Sequence, residues 1–294
     1  MDHHHHEHKE GDGGLRLAFF LNVVFAVIEL VGGLWTNSIA IVSDAVHDFG
    51  DSLSIAFAWT MNRLSARRSS ETLTFGYRRY RLLGALVTGL VLLGGSVFIL
   101  TEAIPRLFAP EAVEPRGMLP LALLGIAVNG VAAFRLRGNT DANRRVVTLH
   151  LMEDILGWVA VLVVSIVLFF VDLPILDPIL SVGITLFILS RILPSLRRVL
   201  RVFLQHAPAG VPTSELRGAL EDLEGVAEVH HVHVWTLDGE YNLLSAHLVM
   251  EGNPPLDALE ETKASAKERL GEKGIQHVTL EFEAQQAGCR DCDL

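Results

Sequence analysis

Cysteine is nearly absent from this chain. Its 294 residues include two, Cys289 and Cys292, in a Cys-x-x-Cys near the last residue. Two cysteines exclude a disulfide framework. No His-Glu-x-x-His occurs, so the helical motif of a zinc hydrolase is missing. The first residues are polar and acidic and lack the basic start of a cleavable signal peptide, so none is expected. No internal repeat is found. Basic charge is also scarce, with 24 Lys and Arg against 34 Asp and Glu and a net charge of −10. Phosphate binding needs a basic surface, so a nucleic-acid partner is not expected.

Apolar sequence is what the chain has in abundance. Half of its residues, 50%, are hydrophobic, which is high for a soluble domain. Six apolar segments run roughly over Leu15–Trp35, Ile39–Arg63, Leu82–Ile104, Met118–Leu136, Val146–Val171 and Pro178–Leu200. Each is near the ~20 residues that cross a bilayer core as a helix. The connections alternate in charge. Arg67, Arg68, Arg78, Arg79 and Arg81 follow the second segment, Arg135, Arg137, Arg144 and Arg145 the fourth, and Arg197, Arg198 and Arg201 the sixth. The opposite loops are short and poor in arginine. Positive-inside bias then places both termini in the cytoplasm.

The remainder is a separate acidic module. From Thr213 the pattern predicts a helix over Thr213–Leu223 with Thr213 as N-cap, strands over Val226–Leu237 and Leu243–Glu251 around an Asp238-Gly239 turn, a helix over Leu256–Leu270 and a strand over Ile275–Glu283. The order α-β-β-α-β describes a small α+β domain. Four stretches result. Residues 1–14 form a His-rich cytoplasmic segment, 15–206 a six-helix transmembrane domain, 207–284 a cytoplasmic α+β domain, and 285–294 a tail with the Cys-x-x-Cys.

Two histidine–carboxylate pairs lie inside the apolar segments. His47 and Asp51 are spaced i, i+4, and so are His150 and Asp154. On a helix each pair shares one face, one turn apart. An ionisable side chain in a bilayer core is expensive and marks a cavity, a partner or a pathway. Two imidazoles and two carboxylates suit a tetrahedral zinc-type ion. The plainer alternative is that the pairs only hold helices together. Metal ligands must be deprotonated, so protons compete with the ion and a proton gradient can drive its release. Asp44 shares the His47 stripe at i−3, and Asp48 is turned about 100° away. Glu29, Asn22, Glu102 and Asn129 read as helix-bridging groups.

The acidic module carries its own candidates. Strict alternation on the first strand puts His231 and His233 on one face and His230 on the other. His247 lies on the next strand, and Glu281 and Glu283 lie on the last. Cys289 and Cys292 read as a soft ligand pair or a redox pair. Met1-Asp2-His3-His4-His5-His6-Glu7-His8 is suited to metal capture, or is a tag.

These residues resemble the cation diffusion facilitators, and the resemblance covers nearly the whole chain. It rests on Ser43-Asp44-Ala45-Val46-His47 with Asp51, Thr74-Phe75-Gly76-Tyr77 with Arg79, and Glu102-Ala103-Ile104. It continues in Asn129-Gly130, Leu149-His150 with Asp154, and Asp177-Pro178-Ile179-Leu180-Ser181. The match looks most like the bacterial branch that exports zinc, cadmium and cobalt. It implies a zinc/proton antiporter, not an enzyme, working by alternating access as a homodimer in a bacterial inner membrane. The transport site would be His47, Asp51, His150 and Asp154. A ferredoxin-like, metallochaperone-like tail would sense zinc through His230, His233, His247 and Glu283, and Cys289 with Cys292 would complete a further site. The alternatives are export of cadmium, cobalt, nickel, iron or manganese, or an intramembrane zinc hydrolase. This chain departs from the family pattern at Arg81, at Thr88 and at Trp158, which replaces a small residue one turn after Asp154. Its first basic loop has no histidine.

Overall fold

The structure is a computed structural model that describes residues 7–65, 69–136 and 142–285. Cys289 and Cys292 lie outside the described residues. So do His3 to His6, and the side chain of His150. The chain divides into two units. The first comprises residues 1–68 and 83–196, and the second comprises 69–82 and 197–294.

Six long helices make up the first unit, with the first residues of the third and the end of the last assigned to the second: α1 (Glu7–Thr36), α2 (Ile39–Ser65), α3 (Tyr80–Phe108), α4 (Pro115–Leu136), α5 (Ala142–Phe170) and α6 (Leu176–Phe203). Among the described residues, five helices are long and apolar enough to cross a membrane: α1, α3, α4, α5 and α6. Helix α2, which bears Asp44, His47, Asp48 and Asp51, is not one of the five. Large apolar side chains such as Leu34, Phe98, Val131, Val163 and Phe169 stay on the outside, as expected where the surrounding medium is lipid.

The buried seams are built on small residues. Gly50 of α2 meets Leu92 of α3, and Gly95 of α3 meets Val46 of α2, with no room for a Cβ on either glycine. Close backbone approach of this kind is how membrane helices gain packing without a hydrophobic drive. Asp177, at the start of α6, is fully buried and accepts hydrogen bonds from Ser38 Oγ and, at 2.8 Å, from the Ile39 N–H. A carboxylate thereby meets the unsatisfied N–H groups at the start of α2. That contact gives the Asp177-Pro178 pair a physical role.

Trp158 is 1% exposed and packs on Phe25 of α1, Gly125 of α4 and their apolar neighbours. The indole occupies the space where a Gly125 side chain would stand. Gly125→Val is therefore expected to cost about 1–3 kcal/mol through overpacking. The thermal midpoint of the purified protein in detergent checks this, and an unchanged midpoint refutes it.

The second unit holds α7 (Thr213–Glu221), β1 (Val226–Thr236), β2 (Asn242–Met250), α8 (Leu256–Glu272) and β3 (His277–Ala284). The α-β-β-α-β order agrees with the sequence pattern. The sheet order is β1-β2-β3, with β1 and β2 antiparallel and β2 and β3 parallel. Leu216, Leu220, Val229, Leu244, Leu248, Ala266 and Leu270 form its core between helices and sheet. Thr213 is not the cap of α7: Pro212 holds the boundary at φ −65° and ψ 125°, with no side-chain cap bond.

The basic stretch 69–82 belongs to this second unit. Asp238 clamps it. Arg81 donates to the Asp238 carboxylate at 3.1 Å, Arg78 pairs with it at 3.5 Å, and the Arg78 guanidinium lies 4.4 Å over the Tyr241 ring. Phe75 packs edge-on to His277. Burial alone would push the Asp238 carboxyl up. The N–H groups of Tyr241 and Glu240, together with Arg81, outweigh burial and hold it below the usual carboxylate range. A depressed folded pKa stabilises above the unfolded value and is lost only as pH falls through the folded one. Asp238→Asn is thus expected to cost about 1–3 kcal/mol at neutral pH. The gap in thermal midpoint from the parent protein should stay flat from pH 8 to about pH 4 and close below it. A gap that closes near pH 6 would contradict this.

Candidate metal centres

Helix α2 presents Asp44, His47 and Asp51 to a cavity of about 800 Å³ that is also lined by α3, α5 and α6. The i, i+3, i+7 spacing puts all three on that face. From α5, Asp154 faces the same space. His47 Nε2 lies 3.9 Å from Asp51 Oδ2 and 3.8 Å from Asp154 Oδ1. One imidazole is therefore within 4 Å of carboxylates from two helices. His150 lies on α5 one turn before Asp154. The backbone thus puts the fourth expected residue on the helix that supplies Asp154.

The neighbouring acids separate by their surroundings. Asp44 is buried and lines the cavity. Asp48 is also buried but turned toward α1, where Asn22 donates to its carbonyl oxygen at 3.3 Å and Glu29 is fully buried beside it. Asn129 donates to the Gly125 carbonyl of its own helix, and Glu102 is exposed. Trp158 does not line the cavity. Its indole packs toward α1 and α4, so the departure from a small residue changes helix packing and leaves the ligand space open.

Glu153 and Arg191 escaped the sequence reading as a unit. Both line the cavity, and the Arg191 guanidinium pairs with the Glu153 carboxylate across α5 and α6. The available signal was a lone arginine inside the apolar run of the sixth segment.

In the second unit the sheet brings ligands together by register. His230 pairs with His247 across β1 and β2, and His247 with Glu281 across β2 and β3. Glu283 lies 3.1 Å from His230 Nε2 and 2.7 Å from His247 Nδ1. Among the described residues, His230, His247 and Glu283 are the one group whose three ligand atoms lie within 4.8 Å of one another. Two imidazoles and a carboxylate are a donor set that fits zinc, leaving a fourth position for another ligand.

Simple alternation fails on β1. A bulge falls between His230 and His233, and His231 adopts φ 55°. A left-handed residue inserted in a strand resets which face the following side chains take. His230 and His231 consequently both approach His247, with ring centroids 5.3 Å and 4.8 Å away. His233 is exposed and stacks against His231 at 4.5 Å, outside the three-ligand group.

Comparison with known families agrees with this two-part layout. The cation efflux transmembrane domain matches residues 15–204, and the cation efflux protein cytoplasmic domain matches residues 208–285. The chain belongs to the cation efflux family, the cation diffusion facilitators. Within that family it is 30% identical over 286 residues to a cadmium, cobalt and zinc/H(+)-K(+) antiporter of Bacillus velezensis, covering 95% of this chain and 91% of that protein. It is 32% identical over 295 residues to the metal cation efflux system protein CzcD of Cupriavidus metallidurans, covering 99% and 92%. It is 30% identical over 297 residues to the zinc transporter ZitB of Pectobacterium atrosepticum, again covering 99% and 92%. These relatives are cation carriers, so the hydrolase alternative is not favoured.

Proposed function

We propose that this cation efflux protein is a zinc/proton antiporter whose transport site is His47, Asp51, His150 and Asp154. The observation that carries it is His47 set within 4 Å of Asp51 and Asp154 on one cavity among the membrane helices. Zinc is the cargo of this site, not a resident cofactor. The ligands must shed protons to bind it and take protons to release it, which couples the two flows. The family and the printed names of its relatives support efflux of divalent cations. Those names include cadmium, cobalt and zinc as cargo and potassium as a second counter-ion, so metal-by-metal flux with and without potassium ranks them.

Six spans are part of the reading. Helix α2 has 27 residues, about 40 Å at 1.5 Å per residue, longer than the ~30 Å core. Its charged face turns to the cavity, so its composition fits a span enclosed by α1, α3 and α5. The stretch 69–82 packs within the same unit as the tail domain. That supports placing the first and last arginine-rich stretches on one side with the tail, and positive-inside bias extends this to both termini and makes that side the cytoplasm. The inner membrane of a bacterium is consistent with the bacterial relatives. The ferredoxin-like tail would pair two copies into a homodimer and bind regulatory zinc at His230, His247 and Glu283, with His233 at its edge and Cys289 and Cys292 as a further pair. The test is zinc uptake by proteoliposomes under an imposed pH gradient. No gradient-driven zinc movement would overturn the assignment.

A further inference from the structure

Two adjacent carboxylates, Glu153 and Asp154, line one cavity, yet only one belongs to the candidate ligand set. Asp154 approaches His47 at 3.8 Å. Glu153 is engaged by Arg191 from α6. Arg191 is the single charged residue between Asp177 and Arg197. A guanidinium inside an apolar span is expensive and needs a partner. A cation beside a cation-carrying cavity is also repulsive unless a carboxylate neutralises it. The pair meets both requirements. It also occupies a glutamate whose side chain is one methylene longer than that of Asp154 and whose backbone is one residue away.

We propose that Arg191 sets the ion preference of the transport site by keeping Glu153 out of the ligand set. This rests on the reading of His47, Asp51 and Asp154 as transport ligands. Four ligands with two imidazoles favour a tetrahedral ion such as zinc. A released Glu153 adds a hard oxygen donor and raises the coordination number. Carboxylate-rich, higher-coordinate sites suit manganese. Arg191 is thus a positioning residue, acting through Glu153 and touching no ion.

The test is the ratio of manganese to zinc uptake in proteoliposomes of the full chain, which does not depend on how much protein is active. Arg191→Gln is expected to raise the ratio on the order of tenfold. Arg191→Lys, which keeps a cation for Glu153, should hold the parent ratio. Glu153→Gln with Arg191→Gln should return to it, because the freed ligand is gone. Loss of a nearby positive charge by itself helps both ions alike and leaves the ratio unmoved. An unchanged ratio in Arg191→Gln, or a raised ratio that persists in the double variant, overturns the proposal. Glu153→Gln alone gives a second check should Arg191→Gln not fold. It should retain zinc flux at the parent ratio with a raised KM, and loss of flux would make Glu153 itself a ligand. Flux surviving Asp51→Ala would instead sink the transport-site reading, so the two failures are distinguishable.

Discussion

Asp51→Ala is expected to reduce pH-driven zinc flux by at least ~100-fold. Removing a group that merely orients a metal ligand costs about 10–100-fold in affinity or activity, and a direct ligand lies at or beyond the top of that range. Asp51 stands one turn from His47 with its carboxylate 3.9 Å from the imidazole, on the wall of the cavity. Its loss leaves two imidazoles and Asp154, and removes one site for the exchanged proton. Alanine is a good helix former, so α2 should persist. Asp51→Asn keeps the shape and loses the charge, which separates ligation from packing. Both variants should reach the membrane in normal amounts, and neither should exchange zinc for protons. Normal flux in Asp51→Ala refutes the transport-site assignment.

Much of this site was legible because lipid simplifies the sequence code. An apolar run of membrane length has few other uses, so the spans and the arginine-rich loops stood out. A charge inside such a run is conspicuous for the same reason. Helix α2 was legible from its i, i+3, i+7 stripe although it is not among the helices apolar enough to span. The turn of Asp48 toward α1 follows from the 100° step that separates it from His47.

The contacts that escaped depend on partners far away in the chain. Arg191 and Glu153 are 38 residues apart, and Arg81 and Asp238 are 157 apart. No local pattern reports such pairs. Arg81 reads as a departure from the family in the sequence and as half of a clamp in the fold. Trp158 reads as a bulk change next to the site, yet its ring packs onto Gly125 of α4, a partner 33 residues away that no local pattern reports. On β1 the alternation rule set His231 on the face opposite His230, since it assumes an unbroken ladder. A single left-handed residue, His231, invalidates the rule from that point on.

Glu283→Gln is expected to remove the tail's zinc site while leaving its fold intact. Glu283 contacts both histidines, at 3.1 Å to His230 and 2.7 Å to His247, so it is the common member of the group. The amide keeps the volume and loses the anionic donor, leaving two neutral imidazoles. Two ligands do not close a zinc site. Zinc affinity at this position should fall by about 100-fold or more, the scale expected for loss of a direct ligand. The tail is strongly acidic, and bound zinc neutralises part of that charge, which lowers its self-repulsion. Small-angle scattering of the full-length protein should therefore detect a zinc-induced compaction that Glu283→Gln lacks. Equilibrium zinc binding should lose one class of site per chain in Glu283→Gln and a different class in Asp51→Ala, with both lost in the double variant. Unaltered tail binding in Glu283→Gln would mean that zinc is held elsewhere on the sheet. Compaction without zinc binding at Glu283 would break the link between the site and the conformational change.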